Sequence, residues 1–265
     1  MVPPTFRTIV KELHQIELTS RCSLKCGYCP SAKMQAKVPG FRDTIDMAED
    51  DFVACLGILK VFCDRGTQQE VNLAGIGEST LLGDLFIERL RRVRETVGPD
   101  RRIVISTNGL HLNDEFAAKM AQHGLEVQVS LHVGLKRAHA GIVALQRAGI
   151  YQGVGYAPAE ASVSWAGQVD WIDNAPNFGC DWLVKGKTMA LADGRLAACS
   201  LDATGETTVG TLKELRDALE SGRNILTGTS ELCRKCHHRI GGWDQSKAEK
   251  AGKDSPVYSF NVVQE

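Results

Sequence analysis

Residues 20–30 read SRCSLKCGYCP, and they carry three cysteines spaced Cys-x3-Cys-x2-Cys. The preceding residues 14–19 (HQIELT) predict a strand, so Cys22, Cys26 and Cys29 share one loop at its carboxyl end. Three thiolates on one loop can bind three irons of a cubane cluster and leave the fourth iron open to another ligand. The alternative is a structural zinc loop, which would need a fourth ligand nearby.

The rest of the first 180 residues alternates between strand and helix periodicity. Strands are predicted at 14–19, 70–74, 102–106, 125–131 and 150–156, and helices at 47–63, 84–97, 113–123, 135–148 and 164–174. Repeated βα units indicate right-handed crossovers and a parallel sheet. We therefore predict an α/β fold with a partial (βα)5–6 TIM-like barrel, the doubly wound open sheet being the alternative. In either fold, functional residues gather at the carboxyl ends of the strands.

The bulk properties of the 265-residue chain limit its partners and location. Its net charge of −1 gives no reason to expect nucleic acid or an anionic membrane surface. The sequence has no apolar run of the roughly 18–20 residues that a membrane helix needs, and residues 1–15 lack the apolar region of a signal peptide. We expect a cytoplasmic protein, in which clustered cysteines bind metal or do redox chemistry more often than they form disulfides.

A second group of cysteines lies in the last third of the chain. Its order is Cys180-x13-Gly194-x4-Cys199, followed by Cys233-x2-Cys236. Four thiolates saturate a zinc ion or a [4Fe–4S] cluster equally well, so the spacing leaves both open. The two remaining cysteines, Cys55 and Cys63, fall on the apolar stripe of the predicted helix 47–63, where we expect them to be core residues.

The three-cysteine motif, with the aromatic Tyr28 before its last cysteine, resembles that of the radical S-adenosylmethionine (SAM) superfamily. The resemblance extends to Gly75-Ile76-Gly77-Glu78, which stands where the family has a Gly-Gly-Glu motif that contacts the SAM amino group. Ile76 separates the two glycines, and Ser79 replaces the usual proline. The resemblance implies SAM contacts from the following residues: Tyr28, Gly75, Gly77, Glu78, Asn108 and Ser130.

The same resemblance implies a mechanism for the Cys22, Cys26 and Cys29 site. The open iron of a [4Fe–4S] cluster chelates the amino and carboxylate groups of SAM. An electron from the reduced cluster then cleaves the S–C5′ bond, and the resulting 5′-deoxyadenosyl radical abstracts a hydrogen atom from the substrate. The electron is expected to come from a flavodoxin or ferredoxin.

The later cysteines are similar in order to the Twitch domain, the short form of the SPASM auxiliary-cluster domain. This similarity implies a second [4Fe–4S] cluster on Cys180, Cys199, Cys233 and Cys236. We expect a barrel over residues 1–178, a Twitch domain over 179–240 and a tail over 241–265. The layout is similar to the branch of the superfamily represented by the butirosin-pathway amino-cyclitol (2-deoxy-scyllo-inosamine) dehydrogenase.

The expected activity is therefore oxidation of a small polar or carbohydrate-like natural-product intermediate, with the second cluster taking an electron. Candidate proton-handling residues near the predicted mouth are Tyr156, Lys185 and Arg195. Epimerisation is one alternative, although Cys55 and Cys63 are misplaced as hydrogen donors. Peptide modification is another, although only about a dozen residues precede the first strand. An Fe–S electron carrier or a zinc-stabilised binding module would be a non-enzyme alternative.

Overall fold

The computed structural model describes residues 5–26, 29, 45–131, 134–156, 185–199, 202, 205 and 207–229. Its strands are β1 (Thr5–Ile9), β2 (Glu12–Ile16), β3 (Glu70–Asn72), β4 (Arg102–Thr107), β5 (Leu125–Ser130), β6 (Tyr151–Tyr156), β7 (Lys187–Ala190), β8 (Arg195–Ala197), β9 (Thr208–Thr211) and β10 (Ile225–Thr229). Its helices are α1 (Glu49–Asp64), α2 (Asp84–Val97), α3 (Asp114–Ala121), α4 (Leu135–Arg147) and α5 (Leu212–Glu220), and a short 3₁₀ turn spans Ser79–Leu82.

The main sheet has eight strands in the order β6-β5-β4-β3-β2-β7-β8-β9. Strands β2 to β6 are parallel and lie in chain order, without the reversal of direction that defines a doubly wound sheet. Strand β7 is parallel to β2 and takes the place that the last strand occupies when a barrel closes. The fold is thus α/β with a partial TIM-like barrel, as predicted.

One face of the sheet packs against the helices in the main hydrophobic core. Alternate strand residues such as Val71, Ile103 and Val127 are fully buried there, together with Phe52 of α1 and Phe86 of α2. Because successive strand residues point to opposite faces, the residues between them line the inner face of the partial barrel, the lumen. Polar residues such as Asn72, Ser106 and Gln128 lie on this lumen face, whereas the helical face is filled with apolar side chains.

The two spare cysteines lie on helix α1, as predicted. Cys55 is fully buried in the core, and Cys63 is partly buried against it. Helix α3 is capped by Asn113, whose side chain accepts a hydrogen bond from the Phe116 amide at 2.8 Å. The predicted helix 164–174 lies outside the described residues.

The amino-terminal pairing was not predicted from the sequence. Strand β1 pairs with β10 in antiparallel register, from Thr5 opposite Thr229 to Ile9 opposite Ile225. Residues 5–9 therefore lie against residues 225–229, which belong to the predicted Twitch domain. Among the described residues, the helices are too short or too polar to span a membrane.

Candidate active site at the carboxyl edge of the sheet

The stem of the three-cysteine loop is held by the segment that leads into α1. Asp46 accepts hydrogen bonds from the Thr19 hydroxyl at 2.6 Å and from Arg21 Nε and Nη2 at 2.7 and 2.6 Å. Burial alone would raise the pKa of Asp46, but the Thr19 hydrogen bond and the Arg21 guanidinium outweigh it and hold the pKa below its usual range. Protein contacts thus fix the point at which the loop leaves β2.

The three thiols lie together on this loop. The Cys29 amide donates to the Cys26 carbonyl at 2.9 Å, and the Leu24 amide lies 3.4 Å from Cys22 Sγ. Although Cys22 keeps accessible surface, partial desolvation raises its pKa to about 11, and the negative charges of Glu78, Cys29 and Cys26 add to the rise. The three thiols therefore need a nearby cation before they can all be deprotonated at once.

The donor set fits an iron–sulfur cluster. Among the described residues, no three His, Cys, Asp or Glu side chains converge to hold a single metal ion. In a cubane, each thiolate binds a different iron, so the three sulfurs stand apart around the cluster. Cys22, Cys26 and Cys29, which are free thiols on one loop, would supply one thiolate to each of three irons.

Glu78 joins the loops that follow β2, β3 and β4. Its backbone amide donates to the Arg21 carbonyl at 2.7 Å, directly before the first cysteine. Its buried carboxylate accepts hydrogen bonds from the Thr80 hydroxyl at 2.7 Å, the Thr107 hydroxyl at 2.8 Å and the Asn108 amide at 2.7 Å. Glu78 thus positions the site, and its contact with the SAM amino group stays a prediction.

The glycines of the Gly75-Ile76-Gly77 segment allow close approach within the chain itself. A methyl group on Gly77 would overlap the Thr19 carbonyl oxygen and would lie 2.8 Å from that of Arg21. A methyl group on Gly75 would overlap the Glu17 side chain. Packing between the loops after β2 and β3 therefore requires both glycines, whatever contact they also make with SAM.

Asn108 and Ser130 follow or end neighbouring strands at this edge, and both are buried. Asn108 Oδ1 accepts from the Leu110 amide at 3.0 Å, whereas its Nδ2 is buried without a hydrogen-bond partner among the described residues. Asn108 Nδ2 can therefore donate a hydrogen bond to an acceptor atom on a ligand. Tyr28 lies outside the described residues.

Two residues that the sequence analysis did not select also hold the site together. Glu17, fully buried, accepts hydrogen bonds at 3.0 Å from the Ile76 amide and from the Ala192 amide. It thereby ties the loop after β3 to the turn between β7 and β8. His111 Nε2 lies 2.9 Å from the Ser23 hydroxyl, so the loop after β4 touches the three-cysteine loop. Neither residue belongs to a spacing motif that a sequence reading could have used.

The candidate proton-handling residues separate into two groups. Tyr156 ends β6 opposite Ser130, and Arg195 begins β8 beside the end of β7, so both backbones lie at the carboxyl edge. Lys185 is exposed and comes just before β7. The carbonyl of the next residue, Gly186, accepts hydrogen bonds from the amides of Lys11 and Glu12, which lie at the amino edge of the sheet. The placement of Lys185 near the mouth is therefore wrong, because β7 runs parallel to β2.

Arg195 is held in an ion pair. Its Nη2 lies 2.7 Å from Asp193 Oδ2, and hydrogen bonding to Asp193 raises the pKa of the guanidinium. Arg195 consequently stays charged, which suits a group that stabilises negative charge better than one that accepts a proton.

Of the predicted second cluster site, the structure describes Cys199. It is half-buried and lies two residues beyond β8, toward the end of the β7–β8 hairpin away from its turn. Gly194 occupies that turn with φ 79°, a left-handed conformation that glycine adopts without strain. Cys180, Cys233 and Cys236 lie outside the described residues.

Comparison with known proteins gives a family and several structural neighbours. The model of the radical SAM superfamily matches residues 16–148, about half of the chain. The structure of BtrN with AdoMet and 2-DOIA has a TM-score of 0.60 and 18% identity, covering 79% of this chain and 82% of BtrN. BtrN in an open conformation gives 0.57 and 17%, covering 89% and 99%.

A further neighbour is anSMEcpe with bound AdoMet, with a TM-score of 0.53 and 12% identity, covering 76% of this chain and 77% of that one. No curated protein matches the chain in sequence. At such low identities the structural neighbours establish the fold alone. The family match covers the three-cysteine loop and the loops after β3, β4 and β5 described above. The chain belongs to the radical SAM superfamily, whose members bind a [4Fe–4S] cluster and SAM.

Proposed function

We propose that this radical SAM enzyme oxidises a small polar or carbohydrate-like molecule, and that a second cluster in a Twitch domain accepts an electron. The observation that carries the proposal is the direct pairing of β7 with β2. The hairpin that leads to Cys199 is thereby attached to the strand that leads to Cys22. The Glu17 hydrogen bond to Ala192 reinforces this attachment at the carboxyl edge.

The bound cofactors would supply a 5′-deoxyadenosyl radical and a site that accepts one electron. Oxidation of a secondary alcohol to a ketone removes a hydrogen atom from carbon, a proton from the hydroxyl and one electron. The hydrogen atom goes to the 5′-deoxyadenosyl radical, the proton to a protein group or water, and the electron to the second cluster. These three losses account for the two electrons and two protons of the oxidation.

The chain's own residues would orient the reactants. Asn108 Nδ2 offers a buried donor to SAM, and Glu78 fixes the loops on which Asn108 and the cysteines lie. We propose that Arg195 stabilises the negative charge that develops on the substrate oxygen, because it begins β8 at this edge and keeps its charge. Tyr156 remains a candidate for the proton, since its backbone lies at the same edge.

Epimerisation is disfavoured by the position of the spare cysteines. An epimerase needs a hydrogen donor beside the substrate radical, but Cys55 is fully buried in the core on the other face of the sheet. Burial also raises the pKa of this thiol well above its usual value. Cys63 lies near the carboxyl end of α1, also on the helical side. Because neither cysteine can donate a hydrogen atom to a substrate in the lumen, their positions favour oxidation over epimerisation.

Deuterium transfer would test the proposal. The reconstituted enzyme is incubated with SAM, a reductant and carbon-deuterated glucosamine or myo-inositol, and the products are analysed by mass spectrometry. We expect deuterium in 5′-deoxyadenosine and a ketone product. We also expect Cys199→Ala to retain SAM cleavage but to lose the ketone. An unchanged oxidation state with hydrogen returned to the substrate would indicate epimerisation, and turnover of peptides but not polyols would indicate peptide modification.

A further inference from the structure

We propose that four polar side chains in the lumen, Gln15, Asn72, Ser106 and Gln128, bind the hydroxyl groups of a polyhydroxylated, unphosphorylated substrate. We call these four residues the lumen row. The inference rests on the proposed function and names the substrate class for the same site. It follows from strand register, unsatisfied hydrogen bonding and the charge balance around the row.

Strand register places the four residues on one face of the sheet. Gln15 pairs with Asn72 across β2 and β3, and Asn72 pairs with Val104 across β3 and β4. Ser106 follows Val104 by two residues and pairs with Gln128 on β5. Directly paired residues and residues two apart share a face, and this is the face opposite the helix-packed Val71, Ile103 and Val127. The row therefore lies in the lumen, below the loops that carry Glu78 and Asn108.

The lumen row has hydrogen-bonding capacity that the described protein does not use. Among the described residues, Asn72 Oδ1 is buried without a hydrogen-bond partner. In the part of the chain that the structure describes, the other three side chains likewise make no hydrogen bond. Buried polar groups in folded proteins are nearly always satisfied, so a polar ligand would satisfy Asn72 Oδ1, and the accessible Gln15, Ser106 and Gln128 could bind the same ligand. Amide and hydroxyl groups both donate and accept, and they match the hydroxyls of a sugar or cyclitol.

An apolar wall stands beside the row. Met189 pairs with Gln15 and with Ala197 in register, so all three share the lumen face. Met189, Leu191 and Ala197 form a small buried cluster separate from the main core. This buried cluster closes the β7–β8 side of the lumen with apolar side chains, so the lumen row supplies the polar contacts on the other side.

Charged groups at the amino end of the lumen are already neutralised. Arg102 lies 2.7 Å from a carboxylate oxygen of Glu70 and 2.7 Å from one of Glu126. Lys187 Nζ lies 3.2 Å from Glu12 Oε1, and the same oxygen is 3.1 Å from His14 Nδ1. A phosphate group would have to displace these carboxylates, whereas a neutral polyol would not. The charge balance thus favours an unphosphorylated substrate.

Binding measurements on the reconstituted protein with SAM would test this inference. The probes are glucosamine and myo-inositol, each compared with its phosphate, glucosamine 6-phosphate or myo-inositol 1-phosphate, by saturation-transfer NMR. We expect the unphosphorylated probes to bind more tightly. Gln128→Leu and Ser106→Ala should each weaken their binding about tenfold, as expected for loss of one or two hydrogen bonds. Ser106 is exposed, so its replacement should not disturb folding.

Gln146→Leu on α4 is the matched control, because Gln146 is exposed on the helical side. It should leave probe binding unchanged. The inference is overturned if no unphosphorylated probe binds the wild-type protein, if the phosphates bind as tightly, or if both lumen variants bind like the control. Formation of 5′-deoxyadenosine by the wild-type protein is measured separately, so failure of the proposed function would be distinguished from failure of this inference.

Discussion

At the scale of single residues, a few buried contacts bring the loops of the candidate site together. The Glu78 carboxylate is buried and accepts hydrogen bonds from the loop after β3 and from the end of β4 and its loop. Glu17 connects the loop after β3 to the β7–β8 turn. Hydrogen bonds to a charged group contribute more than neutral ones, and a buried group left unpaired is costly. The loop arrangement therefore depends on individual side chains more than on the strands beneath them.

Replacing Glu78 with Gln should destabilise the protein by about 2–3 kcal/mol, because one carboxylate oxygen becomes an NH2 group that faces a donor. The Asn108 amide or the Thr107 hydroxyl would lose its acceptor. Urea unfolding would measure the loss, and SAM affinity should fall with it. Glu115→Gln, at an exposed position on α3, is the control and should change stability little. Equal stability of the two variants would contradict the role of Glu78.

Gly77→Ala should reduce SAM cleavage by at least about a hundredfold. The added methyl group would meet backbone carbonyls of Thr19 and Arg21, which cannot move without displacing the three-cysteine loop. Gly57→Ala, in the middle of α1, is the matched control. Its methyl group meets only the flexible side chain of Arg216 on α5. Wild-type rates of 5′-deoxyadenosine formation in Gly77→Ala would show that the loop tolerates the change.

Sequence patterns predicted some of these residues and not others. Glu78, Asn108 and the three cysteines stand in motifs whose spacing is visible in the chain. Glu17 and His111 act through contacts between residues about 59 to 175 positions apart, and no local pattern records such contacts. The error over Lys185 has a similar cause, since the direction of β7 is set by its partner strand and not by its own sequence.

At the scale of elements, the pairing of β2 with β7, here called the β2–β7 seam, joins the first strand of the partial barrel to the β7–β8 hairpin. Periodicity predicted the βα units because each buries one face locally. It did not predict β1 and β10, whose pairing spans most of the chain. The seam contains the buried Glu12 and His14 beside the half-buried Lys187. Burial alone would raise the pKa of Glu12, but the His14 hydrogen bond and the Lys187 charge outweigh it and leave the pKa lowered.

This lowered pKa predicts a pH dependence of stability. A carboxyl group with a lower pKa in the folded state stabilises the protein above its unfolded pKa, and that contribution is lost as the pH falls through both values. Glu12→Gln should therefore destabilise the protein more at pH 6 than at pH 4. Urea unfolding of both proteins at the two pH values gives the difference. A constant difference, like that expected for Glu115→Gln, would show that Glu12 is not coupled to the seam.

At the scale of the whole molecule, one sheet carries the three-cysteine loop, the lumen row and the β7–β8 hairpin that leads to Cys199. The family match and the sheet order agree on a radical SAM fold. The sequence predicted this architecture because the cysteine spacing and the βα alternation are both local features. The sequence did not predict the substrate class, because the four residues of the lumen row lie on four different strands. Only the register of the folded sheet brings them onto one face.

Formation of 5′-deoxyadenosine from SAM is the most direct test of the central claim that Cys22, Cys26 and Cys29 hold a catalytic cluster. Wild-type protein, Cys26→Ala and the matched control Cys63→Ala are reconstituted anaerobically, analysed for iron, sulfide and zinc, and incubated with SAM, a reductant and candidate polyols. We predict iron, sulfide and 5′-deoxyadenosine for wild type and Cys63→Ala, and no 5′-deoxyadenosine for Cys26→Ala. Zinc without sulfide and no SAM cleavage in the wild-type protein, or full activity in Cys26→Ala, would contradict the account.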